Sequence, residues 1–96
     1  MKINTKKDGQ KMTFELEGWL DTQAAPQLEE ELDKLGEDVT ELNFDCSALE
    51  YISSSGLRQL VAAHKKMKGA FTISNVSAEI MDVLNMTGMS KRLNIV

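Results

Sequence analysis

The residues that stand out chemically are three consecutive serines followed by a glycine: Ser53-Ser54-Ser55-Gly56. They sit inside Asp45-Cys46-Ser47-Ala48-Leu49-Glu50-Tyr51-Ile52-Ser53-Ser54-Ser55-Gly56-Leu57-Arg58, which reads as a strand, a loop and the opening of a helix. Hydroxyls at a helix start accept hydrogen bonds from the unpaired first-turn N–H groups. A nucleophilic serine needs a base, and the only histidine, His64, falls more than two helical turns beyond Ser55, near an apolar stripe. There is no G-x-S-x-G elbow and no G-x-x-x-x-G-K phosphate loop. The serine fits better as a group that is acted upon. Phosphorylation adds about −1.5 to −2 charges and three strong acceptor oxygens. A helix N-terminus tolerates such a dianion, gaining ~0.3–1 kcal/mol. A protein interface over the same spot does not, because burying an unpaired dianion costs several kcal/mol. A loss of about 3–4 kcal/mol weakens binding several-hundred-fold, which is enough for a switch.

The remaining inventory is plainer. Cys46 follows an apolar strand and reads as a small buried hydrophobe, with Asp45 beside it opposing thiolate formation. One cysteine and one histidine exclude an internal disulfide, a cysteine zinc cage and any two-histidine metal site, and no cofactor is implied. Arg58, Lys65, Lys66 and Lys68 give one helix four positive charges and no negative one, either a solvated face or a complement to an acidic partner. Trp19 and Met89 read as core residues by default and as partner anchors otherwise. The 96 residues carry 11 Lys plus Arg against 15 Asp plus Glu, a net charge of −4. That balance argues against nucleic-acid binding, which relies on phosphate neutralisation. No apolar run approaches the ~20 residues of a membrane helix, so no membrane insertion is expected. The start, MKINTKKDGQKM, lacks the apolar stretch of a signal peptide. A reduced, cytoplasmic setting follows as the expectation.

The elements that must hold the serines can be read from periodicity. Lys2 to Lys7 reads as an edge strand, Asp8-Gly9 as a turn, and Met12, Phe14, Leu16 and Gly18 as one face of a half-buried strand, together a hairpin. Asp21-Thr22 supplies capping side chains for an amphipathic helix from about Thr22 to Leu35, with Pro26 in its first turn and Gly36 as its terminator. Ala25, Leu28, Leu32 and Leu35 form its inner stripe, and Glu29, Glu30, Glu31 and Asp33 a solvated face. Val39 to Asp45 reads as a strand. The next helix runs from near Ser54 to about Lys68, with Leu57, Leu60, Val61, His64 and Met67 inward and Gly69 ending it. Ala70 to Val76 is a strand. Ser77 caps a third helix with Val76 and Met81 as a hydrophobic staple, Ile80, Val83, Leu84 and Thr87 face inward, and Gly88 terminates it. Leu93 to Val96 closes the chain as a short strand. The order β-β-α-β-α-β-α-β specifies an α/β domain: a mixed, mostly parallel sheet joined by right-handed crossovers, with helices mainly on one face.

The serine stretch resembles the signature of STAS domains, the family of anti-sigma factor antagonists. The family pattern is a strand ending in Asp-x-Ser, a short gap, then Asp-Ser-Ser-Gly-Leu opening a helix. Asp45 and Ser47 match its first part; Ser54, Ser55, Gly56 and Leu57 match its second. Gly18-Trp19-Leu20-Asp21 is similar to the family's strand-end Gly-x-Leu-Asp, and Leu84-Asn85-Met86-Thr87-Gly88-Met89 to its Leu-x-x-x-Gly-Leu ending. The resemblance covers the whole chain, so residues 1–96 are expected to form one domain of this fold. It implies a binding protein rather than an enzyme. The unphosphorylated form would bind an anti-sigma factor that is also a serine kinase, freeing a sigma factor for transcription. Phosphorylation of the serine before the glycine, Ser55 by position and Ser54 as the alternative, would end the complex. A metal-dependent serine/threonine phosphatase would reset it. Asp21, Thr22, Ser53, Ser54, Ser55, Gly56 and Arg58 are the expected partner-binding residues. The sequence departs from the pattern at Ser53, where the commonest family residue is aspartate. That departure motivates the competing reading, a constitutive STAS adaptor subunit of a transport ATPase or another signalling complex.

Overall fold

The computed structural model describes residues 1–96. Strand β1 (Lys2–Asp8) and strand β2 (Lys11–Leu20) pair antiparallel in a hairpin with Asp8 opposite Lys11. Of the two loop residues only Gly9 has positive φ, +62°, the pattern of a type II′ turn, whose twist matches that of the strands. Helix α1 (Ala25–Asp33), strand β3 (Glu41–Ile52), helix α2 (Ser54–Lys66), strand β4 (Phe71–Ser74), helices α3 (Ala78–Met86) and α4 (Met89–Arg92), and strand β5 (Asn94–Ile95) follow. The five strands lie in sequence order across the sheet, and every pair after the hairpin is parallel. Because the parallel strands advance in one direction, right-handed crossovers place all helices on the same face.

Burial agrees with that topology. Phe14, Leu16, Leu20, Leu42, Phe44, Phe71 and Ile73 point under the helices and are almost completely buried. They meet the inner residues Leu28 and Leu32 of α1, Leu57, Leu60, Ala63 and Met67 of α2 and its end, and Ile80 and Leu84 of α3. Phe44 is the centre of the core. Its ring stacks on Phe14 at 5.5 Å and takes Phe71 edge-on at 4.7 Å. The opposite face of the sheet is open, and polar along β3 and β4. Asn43 bridges to β4 there, donating to Ser74 at 3.1 Å and accepting from Thr72 at 2.8 Å.

Several boundaries differ from the periodicity reading. Residues 46–51, expected to be a loop, continue β3 through to Ile52. The cause lies in the register. Two extra residues are accommodated on β3, one between the Glu15–Asp45 and Glu17–Ala48 pairs and one between the Gly18–Leu49 and Trp19–Tyr51 pairs. Each bulge shifts the alternation by one, so the buried residues fall at Leu42, Phe44, Cys46, Leu49 and Ile52 rather than at every second position. Helix α1 starts at Ala25, three residues later than expected. Residues Asp21–Ala24 form a turn instead, in which the Asp21 carbonyl accepts from the N–H groups of Ala24 and Ala25. Asp21 and Thr22 are therefore not its caps; the N-cap position is Ala24, without a side-chain bond. Gly36 has no positive φ and does not terminate α1, which ends with Lys34 N–H donating to the Glu30 carbonyl and Leu35 N–H to the Leu32 carbonyl. Val61 and His64 are only half-buried, flanking the stripe, whereas Ala63 is fully buried in it. β4 and α2 are two or three residues shorter than expected. The four-residue helix α4 follows Gly88, whose φ of +78° ends α3.

Candidate functional site

The serine corner is assembled on the carbonyl of Leu20, the last residue of β2. Ser53 N–H donates to it at 2.9 Å, and Ser53 Oγ donates to it at 3.3 Å. The same Oγ accepts from Gly56 N–H at 3.3 Å, so Ser53 is the N-cap of α2. Gly56 is glycine for a steric reason. A Cβ there would lie 2.6 Å from the Leu20 oxygen, 2.7 Å from Leu20 Cγ and 2.8 Å from Ile52 Cγ1. The first turn of α2 thus rests directly on the ends of β2 and β3. Ser53 and Gly56 position the corner.

Ser54 and Ser55 are left without a capping role. Ser54 is exposed and its hydroxyl makes no hydrogen bond within the chain. Ser55 is half-buried, with its hydroxyl 3.4 Å from the Thr22 hydroxyl. Asp21 holds Thr22 in place: its Oδ1 accepts from Gln23 N–H at 3.1 Å and Ala24 N–H at 2.9 Å. Consecutive residues of a helix point about 100° apart. Ser55 accordingly faces the β2–α1 turn, and Ser54 faces the groove between α2 and α4, which it lines together with Arg58. The first turn of α2 contains no acidic residue. Of the residues singled out from sequence, Thr22, Ser54, Ser55 and Arg58 are surface groups at this corner, while Asp21, Ser53 and Gly56 build it.

Asp45, the other carboxylate of the motif, serves the strand. The bulge frees the Ser47 N–H from the ladder, and Asp45 Oδ1 accepts it at 3.0 Å along with Asn75 Nδ2 at 3.1 Å. These bonds, the Ser47 N–H first and then the Asn75 amide, hold the Asp45 carboxyl below its ordinary pKa. Cys46 is buried beneath the same bulge. Burial, and secondarily the Asp45 charge, push its thiol up to about 12, so it has no thiolate chemistry at neutral pH.

Sequence reading misses Tyr51, because its stretch reads as a loop. Tyr51 pairs in register with Trp19, and their rings lie 5.6 Å apart on the open face. Trp19 is 59% exposed and Tyr51 48%, so Trp19 is not a core residue. It also misses Arg92 and Thr87, which line the groove beside Ser54. The signal for that groove was present as a charge pattern: no Asp or Glu occurs between Glu50 and Glu79, or after Asp82.

Comparison with known proteins supplies an independent line. The STAS domain family model matches residues 2–96. An anti-sigma-B factor antagonist of Bacillus subtilis (strain 168) is 25% identical over 96 residues, spanning 97% of this chain and 88% of that protein. The crystal structure of an anti-sigma factor antagonist from Mycobacterium paratuberculosis superposes with a TM-score of 0.86 at 23% identity, covering 98% of this chain and 83% of the other. The Bacillus cell fate determinant SpoIIAA in its phosphorylated form superposes with a TM-score of 0.75 at 16% identity, covering 99% and 91%. No helix of the chain is long and apolar enough to cross a membrane.

Proposed function

Since the chain belongs to the STAS domain family, we propose that it is an anti-sigma factor antagonist controlled by phosphorylation of the serine corner. It is a binding protein rather than an enzyme. In the unphosphorylated form the surface around Thr22, Ser54, Ser55 and Arg58 docks on an anti-sigma factor that is also a serine kinase, and a sigma factor is released. The kinase then transfers the γ-phosphoryl group of ATP to Ser55 Oγ, the hydroxyl proton is lost, ADP departs, and the complex dissociates. A metal-dependent serine/threonine phosphatase hydrolyses the ester and restores the docking form.

One observation carries this reading: Ser53 alone caps α2, which leaves the Ser54 hydroxyl without a partner in the chain and the Ser55 hydroxyl held only by the Thr22 hydroxyl at the helix start. A phosphate there joins a helix N-terminus with no acidic residue in its first turn, so the domain survives modification. Pressed under a partner, the same dianion lacks compensation, and a loss of about 3–4 kcal/mol is a several-hundred-fold weakening. The departure from aspartate at position 53 is compatible with this scheme. Serine keeps the capping bond and adds a donor to Leu20, which an ionised aspartate lacks. The names of the Bacillus subtilis antagonist and of the phosphorylated SpoIIAA structure support the same assignment.

The test is incubation with a serine-kinase anti-sigma factor and ATP, followed by phosphopeptide mass spectrometry and a binding assay. Phosphate on Ser55, lost in Ser55→Ala and retained in Ser54→Ala, together with several-hundred-fold weaker binding by Ser55→Asp, is the expected result. An unmodified protein whose Ser55→Asp variant binds as tightly as the wild type refutes the switch.

A further inference from the structure

Beside the serine corner a groove of about 540 Å³ runs between α2 and the α3–α4 corner. Its floor is Leu57, Val61 and Met89, and its rim is Arg58 and Lys65 on one wall and Arg92 on the other. All three cations are exposed, and none of them forms an ion pair with the fifteen acidic residues of the chain. No acidic side chain lines the groove. An unpaired cluster of one sign, in a chain whose net charge is −4, is a surface that attracts the opposite sign.

We infer that this groove holds an acidic amphipathic helix of a partner protein. The assignment rests on the docking function proposed above, and adds which kind of segment is held and by which face. The dimensions fit. From Ser54 to Lys65 the wall follows three turns of α2, or about 17 Å, the length of a helix of about eleven residues. Apolar residues at i, i+3, i+4 and i+7 would lie on Leu57, Val61 and Met89 while flanking carboxylates meet the two cationic walls. A small ligand is poorly matched, because the polarity is all at the rim. A second copy is also poorly matched. The acidic helix of this chain is α1, whose Leu28 and Leu32 are buried in its own core and leave no apolar stripe to offer.

The probe is a synthetic helical peptide of about 14 residues with leucines at helical spacing and glutamates elsewhere, titrated into the 15N-labelled full chain. Its lysine-for-glutamate counterpart is the control. The inference expects amide shifts along Arg58 to Lys65 and Met89 to Arg92, with affinity falling as salt rises through the range where the Debye length shrinks to ~10 Å. The Lys65→Glu/Arg92→Glu variant, folded by its dispersed amide spectrum, is expected to bind the glutamate peptide about tenfold or more weakly and to gain affinity for the lysine peptide. Four results overturn the inference: no shifts up to about 1 mM peptide, equal binding of both peptides, affinity unmoved by the charge reversal, or shifts that appear with protein concentration alone and mark self-association. Phosphorylation separates the two proposals. Groove binding without Ser55 phosphorylation refutes the switch alone; Ser55 phosphorylation without groove binding refutes the groove alone.

Discussion

Replacing Gly56 by alanine tests how the corner is built. The added methyl would lie 2.6 Å from the Leu20 carbonyl oxygen, where ordinary contact begins near 3.4 Å, so the first turn of α2 must retreat by about 0.8 Å (3.4 − 2.6). The other two obstacles are side-chain atoms of Leu20 and Ile52, both buried, so they have little room to yield. Overpacking costs about 1–3 kcal/mol. Retreat also stretches the two Ser53 bonds to Leu20, and losing one costs a further ~0.5–1.5 kcal/mol. Against this, alanine is the better helix former by ~1 kcal/mol. The balance is a destabilisation of about 0.5–3.5 kcal/mol, set against the roughly 5–14 kcal/mol available to a domain of this length. At about 4–8 °C per kcal/mol, the thermal midpoint followed by far-ultraviolet circular dichroism should fall by about 2–28 °C. Ser54→Ala, which removes an exposed and unbonded hydroxyl, should change stability by no more than about 0.5 kcal/mol. A Gly56→Ala midpoint at or above that of the wild type would show that α2 does not rest on the Leu20 carbonyl, and the account of the corner would fail.

Ser53→Ala removes the N-cap and one bond to Leu20, and should lower stability by about 1–2 kcal/mol in urea titrations, whereas Ser53→Asp, which keeps the capping acceptor, should recover part of that loss. With its thiol at about 12, Cys46 is ionised to only about one part in ten thousand at pH 8, so dithionitrobenzoate should modify it no faster than the chain unfolds; rapid stoichiometric reaction of the native protein would contradict its burial. The folded Asp45 carboxyl titrates below its unfolded value, so its contribution is present above the unfolded pKa near 3.9 and is lost as pH falls through the folded one. The stability gap between wild type and Asp45→Asn, read from urea midpoints, should therefore be widest at neutral pH and narrow below about pH 4; a gap that widens in acid would reverse the sign.

The sequence by itself determined the hairpin, the alternation of strands and helices, and the serine corner as the place where chemistry concentrates. Each of these is written in neighbouring residues: Asp8-Gly9 for the turn, Phe14 and Leu16 against Glu15 and Glu17 for the strand, and Ser77 before Ile80 and Leu84 for α3. These signals are local, because a turn, a cap or an amphipathic period is decided within a few residues. Tertiary structure decided the rest. The bulges of β3 exist only relative to its pairing with β2, so no period in residues 46–51 announces a strand, and Tyr51 next to Trp19 could not be foreseen. Ser53, Ser54 and Ser55 are chemically alike in the chain. They differ in the fold because the Leu20 carbonyl, thirty-three residues before Ser53, fixes the first as a cap. The pitch of α2 then turns Ser54 toward the cationic groove and Ser55 toward Thr22. Contacts between residues far apart in the chain depend on how the elements pack, and packing is settled by shape and burial across the whole core rather than by any local pattern.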